Sequence, residues 1–405
     1  LWNMLGLVVP ALVAIPSMAI MARVMGVEPF GLFMLAFAVL GYAGIFDGGL
    51  TRAVIRAVAM RHTDRDHNWR VVGSASCTVL ALSVLAGLLL YVFAPTITGL
   101  LNVSDAAYGD AVASFRLLAF VIPPYLLSLI WFAYPEGQQR FAQLNMLKVV
   151  SGTLVALLPA LAVLIRPTML SAIVGLAMAR VLTLAVAYIP CHKDLGKQIL
   201  RFDLATFRDL LRFGGWITVS NVISPIMVYA DRFILSNVVG AHRVAFYTAP
   251  AEAVARMSII PGAVARTIFP LFSGMQDDAT AAARRAFRGL LVVCVGVALP
   301  VFIFAEPLLT LWLGEPYGRE SATVIRVLLI GFVFNAIAQV PFSRLQAAGR
   351  SRATALIHLA ELLPYLAVLA LLLQGYGVLG AAIAWTLRVA ADFFLLQHVA
   401  KELER

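Results

Sequence analysis

Three arginines stand deep inside long apolar runs of the chain: Arg180 in "GLAMARVLTLAV", Arg256 in "PAEAVARMSII" and Arg388 in "AIAWTLRVAADF". A guanidinium is charged at any physiological pH, and its planar fork of N–H donors matches the oxygens of a phosphate or carboxylate. Five acids have comparable surroundings: Asp47, Asp231, Glu252, Glu361 and Asp392. Buried acids of that kind carry a proton or small cation, or open and close a path by changing partners. Two of them lie one helical turn from an arginine, Glu252 before Arg256 and Asp392 after Arg388, and His358 stands one turn before Glu361. Pairs at that spacing either neutralise each other and lock helices together or leave the arginine to a ligand, and the sequence leaves both readings open.

The chemistry these residues suggest is binding and charge movement rather than bond making. The chain contains no Walker A sequence, no "HExxH", no nucleophile elbow and no glycine-rich dinucleotide fingerprint. It is therefore expected to be no enzyme and to need no cofactor, with an ion gradient, the membrane potential or a substrate gradient as its energy source. Cys77, Cys191 and Cys294 are odd in number and lack ligand spacing, so they read as packing residues rather than a disulfide framework or zinc site.

The elements that position these groups follow from composition. Of 405 residues, 61% are hydrophobic and 13% charged, and the mean hydropathy is +0.91, which excludes an ordinary soluble globular protein. A helical span needs roughly 20 apolar residues. That rule gives about twelve spans, near 2–22, 30–50, 71–95, 113–134, 144–165, 168–190, 214–239, 244–272, 288–313, 321–345, 353–374 and 376–398. The runs are continuous and lack the dyad alternation of a β-barrel, so the fold class is an all-α polytopic membrane protein. The first run has no basic n-region and reads as the first helix, not a signal peptide. Because the chain opens on Leu1, its native start is expected upstream.

The net charge of +10 is explained by topology. With the N-terminus in the cytoplasm, twenty Lys and Arg fall at the cytoplasmic connections, their flanks and the C-terminal tail, against five at the outer ones. Arg52, Arg56 and Arg61, which follow Asp47 in "GIFDGGLTRAVIRAVAMRH", belong to the cytoplasmic set and read as anchors. No nucleic-acid partner is needed. Six arginines remain within spans: Arg180, Arg232, Arg256, Arg266, Arg326 and Arg388.

The longest polar interruption, residues 191–215, mixes basic residues with Ile199, Leu200, Leu204, Phe207, Leu210, Leu211 and Phe213. It reads as a cytoplasmic amphipathic linker, 191–213, between an N-terminal six-helix bundle, 1–190, and a C-terminal one, 214–405. Sliding the chain by 214 positions lays Gly26 on Gly240, Phe33 on Tyr247 and Arg52 on Arg266, as a parallel duplication about an axis along the membrane normal would. Prolines within the spans, Pro123, Pro124 and Pro364 among them, permit the bends that alternating access uses. Trp131, Tyr134, Trp312 and Tyr317, near span ends, read as interface-belt residues.

"ARVMGVEPFGLFMLAFAV" at 22–39, "FDGGLTRAVIRAVA" at 46–59 and "ADRFILSNVVGAHRVAFYTAPAEAVARM" at 230–257 resemble helices one and two and helices seven and eight of Wzx-type polysaccharide flippases. That family belongs to the multidrug/oligosaccharidyl-lipid/polysaccharide exporter superfamily. The better matches are Gly26, Gly31, Asp47, Gly49, Leu50, Asp231, Arg232, Gly240 and Tyr247. The resemblance implies two six-helix bundles in a V, set in the bacterial inner membrane. It implies a lipid-linked oligosaccharide as substrate, carried on undecaprenyl diphosphate and moved to the outer leaflet, with H+ or Na+ and the polysaccharide polymerase machinery as further partners. Arg180, Arg256 and Arg388 suit the anionic head group, and Asp47, Asp231, Glu252, Glu361 and Asp392 suit ion coupling or gating. A MATE-like drug/cation antiporter is the alternative from another class, but it favours an acid-lined cavity. A lipid II flippase is a nearer relative, though usually of fourteen spans.

Overall fold

The computed structural model describes the backbone of residues 2–264, 279–348 and 350–401. Every regular element among them is helical. Nine segments of the described residues are long and apolar enough to cross a bilayer, which makes the chain an all-α, multi-pass membrane protein. The expected eighth span runs partly, and Arg266 lies wholly, outside the described residues. The chain divides into two compact units, Leu1–Phe233 and Ile234–Arg405.

The first unit contains α1 (Trp2–Met25), α2 (Val27–Ala43), the short α3 (Leu50–Met60), α4 (Arg65–Leu100), α5 (Asp105–Gly137), α6 (Phe141–Ile165) and α7 (Met169–Leu195). Helix α8 (Leu204–Val239) begins in this unit and runs through the boundary. In a bilayer the lipid is as apolar as leucine, so helices associate through small residues that allow close approach. Helix α4 is built that way. It turns Leu85, Leu88 and Val92 outward and buries Ser76, Ser83, Ala86, Gly87 and Ala94. At Gly87 a Cβ would stand 2.6 Å from the carbonyl oxygen of Ala119 on α5, and at Gly175 of α7 one would stand 2.5 Å from that of Leu158 on α6.

Polar residues tie the helix ends. Glu28 of α2 accepts hydrogen bonds from the Ser104 backbone N–H (2.9 Å) and hydroxyl (2.8 Å), and Asp110 of α5 accepts from the Met169 N–H (3.0 Å) that opens α7. At the opposite end Asp194 meets Arg140 and receives the Tyr134 hydroxyl at 3.2 Å. Trp131 donates to Ser76 Oγ at 3.1 Å. Trp131, Tyr134 and Tyr317 are thus buried side chains instead of interface-belt residues, their polar tips or rings engaged by neighbouring helices.

The segment after α7 is not a free surface helix. A 3-10 turn at Gly196–Leu200 leads to Asp203, whose carboxylate accepts the Thr206 N–H at 2.8 Å and caps α8. Residues 204–213 then belong to the same continuous helix as the seventh expected span. The turn is seated on α4. The Ser74 hydroxyl bridges the N–H and C=O of Asp203, Cys77 donates to Leu200 O, and a Cβ at Gly73 would lie 2.3 Å from Arg201 O.

The second unit continues from α8 into α9 (Ala241–Met257), α10 (Ala279–Ile303), α11 (Ala305–Leu313), α12 (Glu315–Ala347) and α13 (Ser351–Lys401). Helix α13 is two arms joined at Gly377, whose φ of 54° lies in the left-handed region that glycine tolerates. The arms double back and contain the expected eleventh and twelfth spans. Gly26 and Gly240, paired by the 214-residue offset, each open a helix at positive φ, 82° before α2 and 103° before α9.

Candidate functional site

In the first unit, α2 ends in a 3-10 turn whose last residue is Asp47. Gly48 and Gly49 follow at φ 58° and 72°, two consecutive left-handed residues that turn the chain into α3. The buried Asp47 carboxylate reaches forward over this turn and accepts from the Thr51 backbone N–H at 3.1 Å and hydroxyl at 2.8 Å. It therefore caps α3, whose Leu50, Ala53, Val54 and Val58 are buried while Arg52 and Arg56 are exposed.

Arg180 of α7 lies with its Cζ 4.5 Å from the centroid of the Tyr125 ring on α5. Its Nε is buried with no hydrogen-bond partner. Tyr125 feels the charge of Arg180 and also that of Asp47, which places the three in one neighbourhood. A second group gathers where α2 meets α8: Tyr42 contacts the rings of Tyr229 and Phe233 at 5.9 and 5.4 Å, and Arg232 lies 5.2 Å over Tyr229. Asp231 and Arg232 are both buried, and Asp231 accepts the Arg232 backbone N–H at 2.8 Å. The Tyr229 ring packs into the space left by Gly41, where a Cβ would fall 2.3 Å from Tyr229 Cε2.

In the second unit the two arms of α13 bring His358, Glu361 and Tyr365 against Arg388 and Asp392. His358 Nε2 is 3.3 Å from Asp392 Oδ1. Arg388 lies over the Tyr365 ring at 5.4 Å, with its Nε buried and without a hydrogen-bond partner. Glu361 is buried, neither of its carboxyl oxygens has a hydrogen bond, and its charged neighbours are Asp392, His358 and Arg388. Of the two readings open for Arg388 and Asp392, no direct ion pair forms between them among the described residues, and Asp392 instead meets His358 across the arms. On α9, Arg256 likewise has a buried Nε without a partner, and no ion pair joins it to Glu252 among the described residues.

Sequence reasoning missed the aromatic platforms. Tyr125 and Tyr365 take no part in a local pattern with their arginines, which stand on another helix or arm. One signal was present: each tyrosine directly follows an intramembrane proline, in Pro124-Tyr125 and Pro364-Tyr365. No group of three or more His, Cys, Asp or Glu suited to a metal ion occurs among the described residues.

Residues 1–276 match the family model described as polysaccharide biosynthesis protein. A Shigella flexneri protein named "Putative O-antigen transporter" is 41% identical over 398 residues, covering 98% of this chain and 95% of the relative. The Escherichia coli (strain K12) lipopolysaccharide biosynthesis protein WzxC is 24% identical, over 81% of this chain and 64% of its own length. A multidrug resistance MATE family transporter of the MOP superfamily, in its inward-facing conformation, shares the fold with a TM-score of 0.80 at 15% identity, over 99% of this chain and 98% of that one. The apolar helices, the glycine-opened α2 and α9 and these matches agree, and the chain belongs to the polysaccharide biosynthesis protein family.

Proposed function

We propose that the chain is a flippase that moves an undecaprenyl-diphosphate-linked oligosaccharide from the cytoplasmic to the outer leaflet of the bacterial inner membrane by alternating access. One observation carries this reading: Arg180 and Arg388 rest on tyrosine faces with buried Nε groups that have no hydrogen bond, and neither makes a direct ion pair with an acid among the described residues. An aromatic face steadies a guanidinium through its quadrupole while leaving the in-plane donors for an anion. A diphosphate or an acidic sugar offers the oxygens that such donors match in paired fashion. Arg256 adds a third arginine with a buried Nε that has no hydrogen bond, while the polyprenyl tail stays in the bilayer.

Glu361 serves the coupling. It is a buried carboxyl without a hydrogen bond, beside Asp392 and His358, and so has the means to take up H+ or Na+. Asp231 stands as a gating group on α8, where it shares the Tyr42 contact region with Arg232, and Glu252 stands as one on α9. Asp47 acts through the turn into α3. The relatives named as an O-antigen transporter and as a lipopolysaccharide biosynthesis protein support the substrate class, and hand-over to the polymerase machinery follows from it.

The test is removal of the protein from its host. Lipid-linked oligosaccharide should accumulate on the cytoplasmic leaflet and surface polysaccharide should be lost, with sensitivity to cationic drugs unchanged. Drug sensitivity with intact polysaccharide would replace this reading with the antiporter.

A further inference from the structure

At the end of the second unit where α10 begins and α12 and α13 finish, the three helices line a half-open cavity of about 310 Å³. Its walls are cationic: Arg284 and Arg288 from α10, Arg344 from α12 and Lys401 from α13, and its described lining holds no carboxylate. Each helix presents side chains one turn apart, Arg284 with Arg288, Val340 with Arg344, and Gln397 with Lys401, so regular helix faces build the site. The floor is apolar. Phe287 and Phe393 meet there with ring centroids 6.1 Å apart, on top of a core that includes Ile337, Leu345 and Leu396.

The 214-residue offset lays Gly73 and Ser74 of α4 on Phe287 and Arg288 of α10. In the first unit Gly73 admits the Arg201 carbonyl and Ser74 binds the Asp203 backbone. The second unit has a phenylalanine and an arginine at these positions, and among the described residues the cavity beside them is open. Arg284 and Arg288 stand one turn apart on α10 and repel each other, and an anion bound between them relieves that repulsion.

The bias of basic residues assigns this end to the cytoplasmic face, where the leaflet is anionic. One turn past Arg288 the side chain of Val292 is exposed, as is Phe394 beside Phe393, which marks the start of the hydrocarbon. The arginines therefore stand at headgroup depth. We propose that this cavity binds the headgroup of an anionic phospholipid, its phosphate held by Arg284 and Arg288 and its acyl chains lying along Val292 and Phe394. The cationic lining is separate from the charged cluster of α13, since Lys401 is nine residues, or about 13 Å of helix rise, beyond Asp392. It stands independently of the transport reading.

The experiment uses the purified full chain, stripped of lipid in detergent and supplied separately with phosphatidylglycerol, cardiolipin, phosphatidylcholine, undecaprenyl diphosphate or inorganic phosphate. Retained lipid and melting temperature are measured. Phosphatidylglycerol and cardiolipin should be retained and raise the melting temperature, whereas phosphatidylcholine and inorganic phosphate should not. The double substitution Arg284→Gln with Arg288→Gln should cut retention at least tenfold, and Arg284→Lys with Arg288→Lys should keep part of it. No preference of the unsubstituted protein for anionic over zwitterionic lipid would overturn the proposal whatever the variants do. So would retention of undecaprenyl diphosphate alone, or undiminished retention by a folded glutamine variant.

Discussion

The guanidinium carbon of Arg180 stands 4.5 Å from the centre of the Tyr125 ring, and Arg388 repeats the relationship over Tyr365 at 5.4 Å in the other unit. A cation–π contact away from bulk water is worth about 0.5–2 kcal/mol, enough to orient an arginine without cancelling its charge. Tyr125→Phe keeps the face and should leave transport nearly unchanged. Tyr125→Leu removes it and should lower transport several-fold. Arg180→Ala should lose at least tenfold, with Arg180→Lys between, because lysine keeps the charge and loses the fork. Transport rates measured at matched expression check the series.

Asp47 is a helix cap in the structure, accepting from Thr51 at the start of α3. Asparagine keeps an acceptor at that position, and alanine does not. Asp47→Ala should destabilise the protein by about 0.5–2 kcal/mol, while Asp47→Asn should melt near the parent and transport normally. An Asp47→Asn protein that is stable but inactive would show that the negative charge itself is used.

Close helix contact in the first unit depends on Gly175, where a Cβ would face the Leu158 carbonyl oxygen at 2.5 Å and Pro159 Cα at 2.7 Å. Backbone atoms cannot swing aside, so Gly175→Ala should cost about 1–3 kcal/mol. Gly99, exposed in α4 with nothing within 4 Å of its missing Cβ, is the opposite case. Gly99→Ala should be neutral or raise stability by up to about 1 kcal/mol. Thermal unfolding of the two variants in one detergent reads the contrast.

What could be read in the sequence divides along physical lines. Long apolar runs have only one way to cross a bilayer, so the helical class and the position of most spans were legible, including the two arms of α13 on either side of Gly377. Helix α3 was not, because only a 3-10 turn and the left-handed glycine pair, six residues in all, separate it from α2 and its basic face looks like any cytoplasmic anchor. The start of α8 at Leu204 was hidden by charges that suit a surface linker equally well. In the candidate site, Arg180 and Arg388 stood out by their cost in a membrane, but their tyrosines did not, since those contacts join separate helices or arms. The same reason explains Asp392: its nearest basic group in sequence is Arg388, yet the doubling back of α13 delivers His358 at 3.3 Å.

Glu361 is buried with both carboxyl oxygens lacking hydrogen bonds, so an amide of the same shape should be accepted there. Glu361→Gln is expected to express and melt like the parent. It cannot take up a proton or Na+, so transport by the variant should no longer respond to an imposed H+ or Na+ gradient. Unchanged gradient dependence would remove Glu361 from the coupling.

The account stands most directly on the movement of lipid-linked sugar by this chain through its tyrosine-backed arginines. The measurement is made in proteoliposomes that carry a labelled undecaprenyl-diphosphate oligosaccharide in one leaflet, with its appearance in the other followed by a membrane-impermeant sugar-modifying enzyme. The unsubstituted protein should expose the sugar far faster than empty liposomes, and Arg180→Ala with Arg388→Ala should fall close to the empty rate while remaining folded. Exposure at the empty-liposome rate by the unsubstituted protein, or at its full rate by the folded double variant, would contradict the account.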